Sequence, residues 1–166
     1  MVERRSVAAD VAGSNPVGHP IKTHLLIAGV FCYINTMNFT NEFSFLLKPS
    51  NHGIGVFAVH DIDKRTHLKL FGQENSLSQR SIEREAKDIP EIFQQYCMNR
   101  GDKLICPKDF SAMPVGWYLN HSQDANTFRD DDYKWYARRD IKAGEEILIN
   151  YNILEEPQEA REDFYK

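Results

Sequence analysis

Asn120, His121 and Ser122 follow two bulky aromatics, Trp117 and Tyr118, with Asn126 a few residues on. Downstream, Gly144, Glu145 and Glu146 lead into an apolar run, Ile147-Leu148-Ile149, that ends in Asn150 and Tyr151. A carboxamide offers donor and acceptor together, an imidazole offers either, and a phenol at a strand end is a polar group on a rigid mount. Such a set suits holding a polar ligand and aligning reacting groups. It does not suit nucleophilic attack, since the chain has no Gly-x-Ser-x-Gly turn and no acidic pair placed by a motif, which disfavours a hydrolase. Cys32, Cys97 and Cys106 show no Cys-x-x-Cys or His-Cys spacing, so neither a zinc site nor a disulfide framework is expected and the usage fits a reducing compartment. Each residue also has a plainer reading. Asn120 and Ser122 can bond their own backbone in a polar turn, Tyr151 can be a core tyrosine, and Gly53 and Gly55 can simply permit a tight turn.

Read together, Tyr118, Asn120, His121, Ser122 and Asn126 match the pattern Phe-(apolar)-Asn-His-Ser-x-x-Pro-Asn, with Ala125 where Pro is usual. The Gly144-Glu145-Glu146 turn and the strand ending in Tyr151 supply a second element. The stretch Gly53-Ile54-Gly55-Val56-Phe57-Ala58-Val59-His60-Asp61-Ile62 supplies a third, earlier in the chain. In this order the three resemble the signature of SET-domain protein-lysine methyltransferases, from about Phe43 to Asn152. The resemblance implies methyl transfer from S-adenosylmethionine to a lysine side chain of a protein. It implies Tyr151 as the catalytic tyrosine, and Gly53, Ile54, Gly55, Tyr118, Asn120 and His121 as cofactor-binding residues. Trp117 and Ile149 would line the substrate channel. Many family members have Cys where Gln123 stands and a Cys-rich zinc module after the final tyrosine; this chain has neither, so the resemblance is to a minimal, zinc-free form. Phe71 sits near where the family often has tyrosine. With Ala125, it keeps alive a second reading, a SET-like peptide-binding module without turnover.

The elements that must position these residues are mostly strands. Short apolar runs, Phe43 to Leu47, Val56 to Val59, Leu68 to Phe71, Leu104-Ile105, Tyr133 to Ala137 and Ile147 to Ile149, alternate with Gly, Asn, Asp and Pro turns. One helix is expected after Asp88, with Asp88 as N-cap, Glu91 three residues on and Pro90 in the first turn. Ile89, Ile92, Phe93 and Tyr96 would share its buried face, and Asn99-Arg100-Gly101 would end it. Strands do not alternate with long helices, so a doubly wound sheet is disfavoured and a mostly-β α+β fold is expected. The resemblance implies the SET β-clip, small curved sheets with a threaded C-terminal segment. Trp117, Tyr118, Trp135 and Tyr136 add aromatic surface near both motifs, of which one or two are expected to reach the site.

The chain has 166 residues, 42% of them hydrophobic and 27% charged, which bounds it to one ordinary domain. A net charge of −4 argues against a general nucleic-acid binder and fits a basic partner, with a histone-like protein as one candidate. The apolar run Leu25 to Ile34 is about half the ~20 residues needed to span a bilayer, and no cleavage site follows it, so neither a membrane span nor a signal peptide is expected. The expected location is cytoplasmic, with an exported effector or a nuclear protein as alternatives. Residues 37–152 are the expected SET domain, and 153–166 an acidic, solvated tail, with Phe164 or Tyr165 folding back on the adenine as the alternative. Residues 1–36 form a leader dense in turn residues and expected to be disordered. Gly13-Ser14-Asn15-Pro16 can be spelled GGT-TCG-AAT-CCN, which looks like the T-arm of a transfer-RNA gene. The leader is therefore expected to be read through from such a gene, with Met37 as the native start.

Overall fold

The computed structural model describes residues 26–27, 30–31, 38–72, 80–154 and 156–161. The expectations for residues 11–20, Phe164 and Tyr165 fall outside them. The chain divides into two units, residues 1–36 and 37–166. In the first, β1 (Leu26–Ile27) and β2 (Val30–Phe31) pair antiparallel.

The second unit is built from small sheets. Strands β3 (Phe45–Ser50) and β4 (Gly53–Ala58) form a hairpin running from Phe45 opposite Ala58 to Ser50 opposite Gly53. The hairpin closes over Asn51 and His52, and Gly53 adopts φ 95°, a left-handed conformation that a side chain would resist. Val56 and Ala58 point inward from β4, and its free side is stitched to the distant Gly-Glu-Glu turn: the Ala58 N–H donates to the Glu145 carbonyl at 2.9 Å and the Ile147 N–H to the Val56 carbonyl at 2.7 Å. Strand β5 (His67–Leu68) lies at the edge of a three-stranded antiparallel sheet with β10 (Thr127–Arg129) and β11 (Trp135–Ala137). A second three-stranded sheet has β8 (Lys103–Pro107) at its centre between β6 (Ser81–Glu85) and β7 (Met98–Asn99). The last pair is parallel: β9 (Asn120–His121) against β12 (Leu148–Ile149), with Asn120 opposite Leu148 and His121 opposite Ile149.

The main core gathers Val56, Ala58, Leu68, Leu70, Trp135, Ala137, Ile141, Ile147 and Ile149 from β4, β5, β11, β12 and the segments that flank them. Ile141 and Ile147 are fully buried, and each such side chain contributes about 1.5–3 kcal/mol relative to exposure. Ile89, Leu104 and Cys106 make a smaller second core under β8. The fold is thus mostly β, in small, mostly antiparallel sheets with short helical turns, as the spacing of the apolar runs predicts.

The helix expected after Asp88 is a correction. A 3₁₀ turn covers Ala86–Asp88, and the helix itself, α1 (Glu91–Gln94), has four residues, with Pro90 rather than Asp88 at its N-cap. Two interactions override the helical pattern. The Gln94 side-chain amide donates back to the carbonyls of Ala86 and Ile89, at 3.0 and 2.9 Å, and so satisfies groups a longer helix would have used. Met98 and Asn99 are taken by pairing with Ile105 and Leu104. Of the expected buried face only Ile89 is buried; Ile92 is 71% exposed. Strand β6, Ser-Ile-Glu-Arg-Glu, was not expected, because its charges hide it from a search for apolar runs.

Candidate active site

The parallel pairing of β9 with β12 brings the two halves of the sequence pattern together. Because the strands run the same way, the residues after Ile149 lie beside those around His121. The Ser122 N–H donates to the Ile149 carbonyl at 2.9 Å, and the Tyr151 N–H donates to His121 Nδ1 at 3.1 Å. The two rings sit 5.2 Å apart. A ring nitrogen that accepts a backbone N–H carries no proton, so the tautomer is Nε2–H. Burial holds the His121 imidazole below its ordinary value of 6.5, opposed by a hydrogen bond with Ile149 and aided by the charge of His52. The Tyr151 hydroxyl donates to the Leu119 carbonyl at 2.6 Å. That bond commits the phenolic hydrogen, so toward a ligand the oxygen acts as an acceptor.

Asn120, nine-tenths buried, is a structural clamp. Its amide nitrogen donates to Glu146 Oε1 at 2.7 Å, to Ser50 Oγ at 3.1 Å and to the Ile54 carbonyl at 3.4 Å. One carboxamide therefore ties the β3–β4 hairpin to the Gly-Glu-Glu turn. Gly55 is explained by the same arrangement: a Cβ there would lie 2.2 Å from Glu146 Oε1, so the glycine makes room for a carboxylate. Asn126, 1% exposed, buttresses the turn from the other side. It accepts the Leu148 N–H at 2.9 Å and donates to the Glu146 carbonyl at 2.7 Å, doing for this segment what a neighbouring strand would do.

A cavity of about 640 Å³ opens beside these residues. Of the residues singled out in the sequence, Trp117, Asn120, His121, Ile149 and Tyr151 line it together; Gly53, Ile54, Gly55 and Tyr118 do not. Strand β4 is tied to the cavity wall by the Asn120 bond to Ile54, and Tyr118 packs edge-on against Tyr96 at 5.1 Å. Of the four aromatics near the motifs, Trp117 and Trp135 are on the lining, while Tyr136 stacks on Phe128 at 5.4 Å. Phe71 also lines it, pressed against the Gly116 backbone and covered by the Arg80 guanidinium 3.9 Å from its ring.

Among the lining residues that the sequence did not single out for the site are Tyr96, Arg129 and Tyr133. Tyr133 has φ 61°, uncommon for a residue with a side chain. A tight Asp130 turn holds it there, with the Tyr133 N–H on the Asp130 carbonyl and the N–H groups of Asp132 and Lys134 on the Asp130 carboxylate. The Arg129 guanidinium stands 4.2 Å from its ring centre. The signal available was the Asp130-Asp131-Asp132 run, a turn former directly before the aromatic.

Among the described residues no group of His, Cys, Asp or Glu is arranged to hold a metal ion, and no helix is long and apolar enough to cross a membrane. A cavity of this size, walled by aromatics with a few convergent polar groups, is a small-molecule site in its proportions. The buried indole N–H groups of Trp117 and Trp135 find no acceptor among the described residues, and a ligand rich in acceptors would satisfy them.

The small sheets thus meet at a parallel Asn-His/Tyr junction with an aromatic cavity beside it. The SET-domain family pattern matches residues 53–152, more than half of the sequence, and the chain belongs to that family. It is 29% identical over 115 residues to a histone-lysine N-methyltransferase, H3 lysine-36 specific, of Candida albicans; the match covers 61% of this chain and 13% of that protein. Among solved structures it is similar to a candidate histone methyltransferase of Plasmodium falciparum, at 20% identity and a TM-score of 0.42, covering 65% of this chain and 92% of that one.

Proposed function

We propose that this chain transfers a methyl group from S-adenosylmethionine to a lysine side chain of a protein substrate, with a basic, histone-like protein as the preferred partner. The observation that carries the reading is the convergence of Tyr151, His121, Asn120, Trp117 and Ile149 on one cavity. When bound, the cofactor supplies an electrophilic methyl group on a sulfonium; the protein's part is alignment, exclusion of water and control of the amine proton. A lysine with its ordinary pKa near 10.4 is almost wholly protonated at neutral pH. The apolar walls given by Leu119, Trp117 and Ile149 disfavour the ammonium and favour the neutral amine that attacks. Tyr151, with its hydrogen committed to Leu119, presents an oxygen that can accept from the amine and orient its lone pair. Tyr96, Tyr133 and Trp135 offer π-faces to a sulfonium or an adenine. Asn120 and His121 hold the junction on which these groups are mounted, and the ring edge of His121 can meet the cofactor.

The test is incubation of the purified protein with methyl-labelled S-adenosylmethionine and a mixture of basic proteins that includes histones. Label recovered on lysine, and lost on Tyr151→Phe, supports the proposal. Cofactor binding by calorimetry with no label transferred to any protein would sink it.

A further inference from the structure

Cys97 and Cys106 stand opposite one another across the β7–β8 ladder. The register pairs Met98 with Ile105 and Asn99 with Leu104, and one further step places Cys97 facing Cys106. The type of pair follows from the backbone bonds. The Arg100 N–H donates to the Lys103 carbonyl at 2.9 Å, so 100 and 103 are a hydrogen-bonded pair, and alternation makes 98 with 105 the next one. Positions 99 and 97 are then non-hydrogen-bonded, and their N–H groups do point away from β8: Asn99 to Glu156 Oε1 at 2.9 Å, Cys97 to the Gln94 carbonyl at 2.9 Å. In a non-hydrogen-bonded antiparallel pair the Cα atoms approach to about 4.5 Å and the side chains lean together, within the reach of a disulfide. Both residues are free thiols, and both pack in the second core with Ile89, Leu104 and Phe110.

We propose that Cys97 and Cys106 are a disulfide-forming pair that fixes one wall of the cavity. Cys97 belongs to an unbroken run, residues 94–100, that lines the cavity, and Cys106 lies on the central strand of the sheet behind it. Joining them ties the wall to the sheet. With oxidised glutathione as oxidant, one thiolate attacks its disulfide and releases one glutathione thiol. The second cysteine then displaces the other glutathione, so two protein S–H groups become one S–S bond and two reduced glutathiones leave. Burial, and next a hydrogen bond with Cys106, push the Cys97 thiol up to about 12. The thiol is therefore protonated at neutral pH, and closure is slow and speeds up with rising pH.

The experiment uses the full chain carrying Cys32→Ser, so that these are its only thiols, and incubates it with oxidised glutathione at pH 7 and pH 9. The expected product has lost the mass of two hydrogens, carries no glutathione, is formed faster at pH 9 and is reversed by dithiothreitol. Hydrogen exchange of the peptide spanning 94–100 should slow after oxidation. In the Cys106→Ser variant the reaction should stop at a stable glutathione adduct on Cys97, which shows that Cys106 is the resolving thiol. Two thiols that survive oxidation in the folded protein, or a persistent adduct when both cysteines are present, would overturn the proposal. The readouts are masses and exchange rates, so they stand apart from the outcome of the methyl-transfer assay.

Discussion

His121 Nδ1 accepts the backbone N–H of Tyr151 at 3.1 Å, a side-chain bond that adds to the β9–β12 pairing in fastening the two halves of the sequence pattern together. The bond needs a neutral imidazole, because a protonated Nδ1 has no lone pair to offer. Burial lowers the His121 pKa below its ordinary 6.5. Between that value and the lowered one the unfolded chain takes up a proton that the folded chain does not, so stability falls as pH drops below about 6.5. His67 is shifted the same way, by burial and then the charges of Lys134 and Lys69, so the effect of His121 is read as a difference. His121→Gln should flatten part of the fall in melting temperature between pH 6.5 and 5. A variant whose profile runs parallel to the wild type would show that His121 is not the group involved.

Tyr151→Phe removes the hydroxyl that donates to Leu119. Loss of one neutral hydrogen bond in a partly buried setting costs about 0.5–1.5 kcal/mol, which a domain of this size survives. Turnover should drop far more, by ~10²-fold or greater, the scale typical of a positioned group at a reacting centre. The informative comparison is cofactor affinity against turnover: both falling equally would make Tyr151 a binding residue, and unchanged turnover would remove it from the chemistry.

Gly55→Ala should destabilise the fold rather than act on ligand binding alone. The added methyl lies 2.2 Å from Glu146 Oε1, so the carboxylate must move and Asn120 loses its shortest acceptor. The amide keeps Ser50 and Ile54 as weaker acceptors, so the loss is that of one hydrogen bond to a charged group, about 1.5–3 kcal/mol. Combining Gly55→Ala with Glu146→Ala removes the clash, so the double variant should be less destabilised than the sum of the two single changes, as measured by urea unfolding. Strict additivity would show that the methyl and the carboxylate do not compete for one space.

The same residues show what a sequence can and cannot announce. Tyr151, His121 and Asn120 were legible because their types and order are tied to one chemistry, and the strands holding them were legible as apolar runs between turn formers. Tyr133 and Arg129 were not, because what brings them to the cavity is the pairing of β10 with β11 and a strained turn, neither of which has a period. The helix after Asp88 misled for a related reason. Its spacing fits a helix, but the competing partners of Met98 and Asn99 lie on β8 and in the tail, at Glu156, out of view of any local window. The closeness of Gly55 to Glu146 was not legible either, since nothing local links the glycine to a carboxylate that arrives from that distance along the chain.

Glu145 gives the last prediction. Its carboxylate bonds Arg139, accepts the Lys142 N–H at 3.1 Å and accepts from the Asn126 amide at 3.2 Å. The Arg139 guanidinium contributes most to lowering its pKa from 4.5 to about 2, against an opposing effect of burial. A carboxylate held below its unfolded value contributes stability above that value and gives it up as pH falls through the folded one, so the window runs from about 4.5 down to about 2. Arg139 is more than half exposed, so solvent and salt screen much of the pair and the effect on stability is smaller than the shift alone implies. Glu145→Gln keeps an acceptor for Lys142 and Asn126 but cannot titrate. In low salt its melting temperature should start below the wild type at pH 6, and the two curves should converge as pH falls from 4.5 toward 2. Curves that stay a constant distance apart would mean that the Arg139 pair contributes no pH-dependent stability, and that the Gly-Glu-Glu turn is held by Asn120, Asn126 and the backbone.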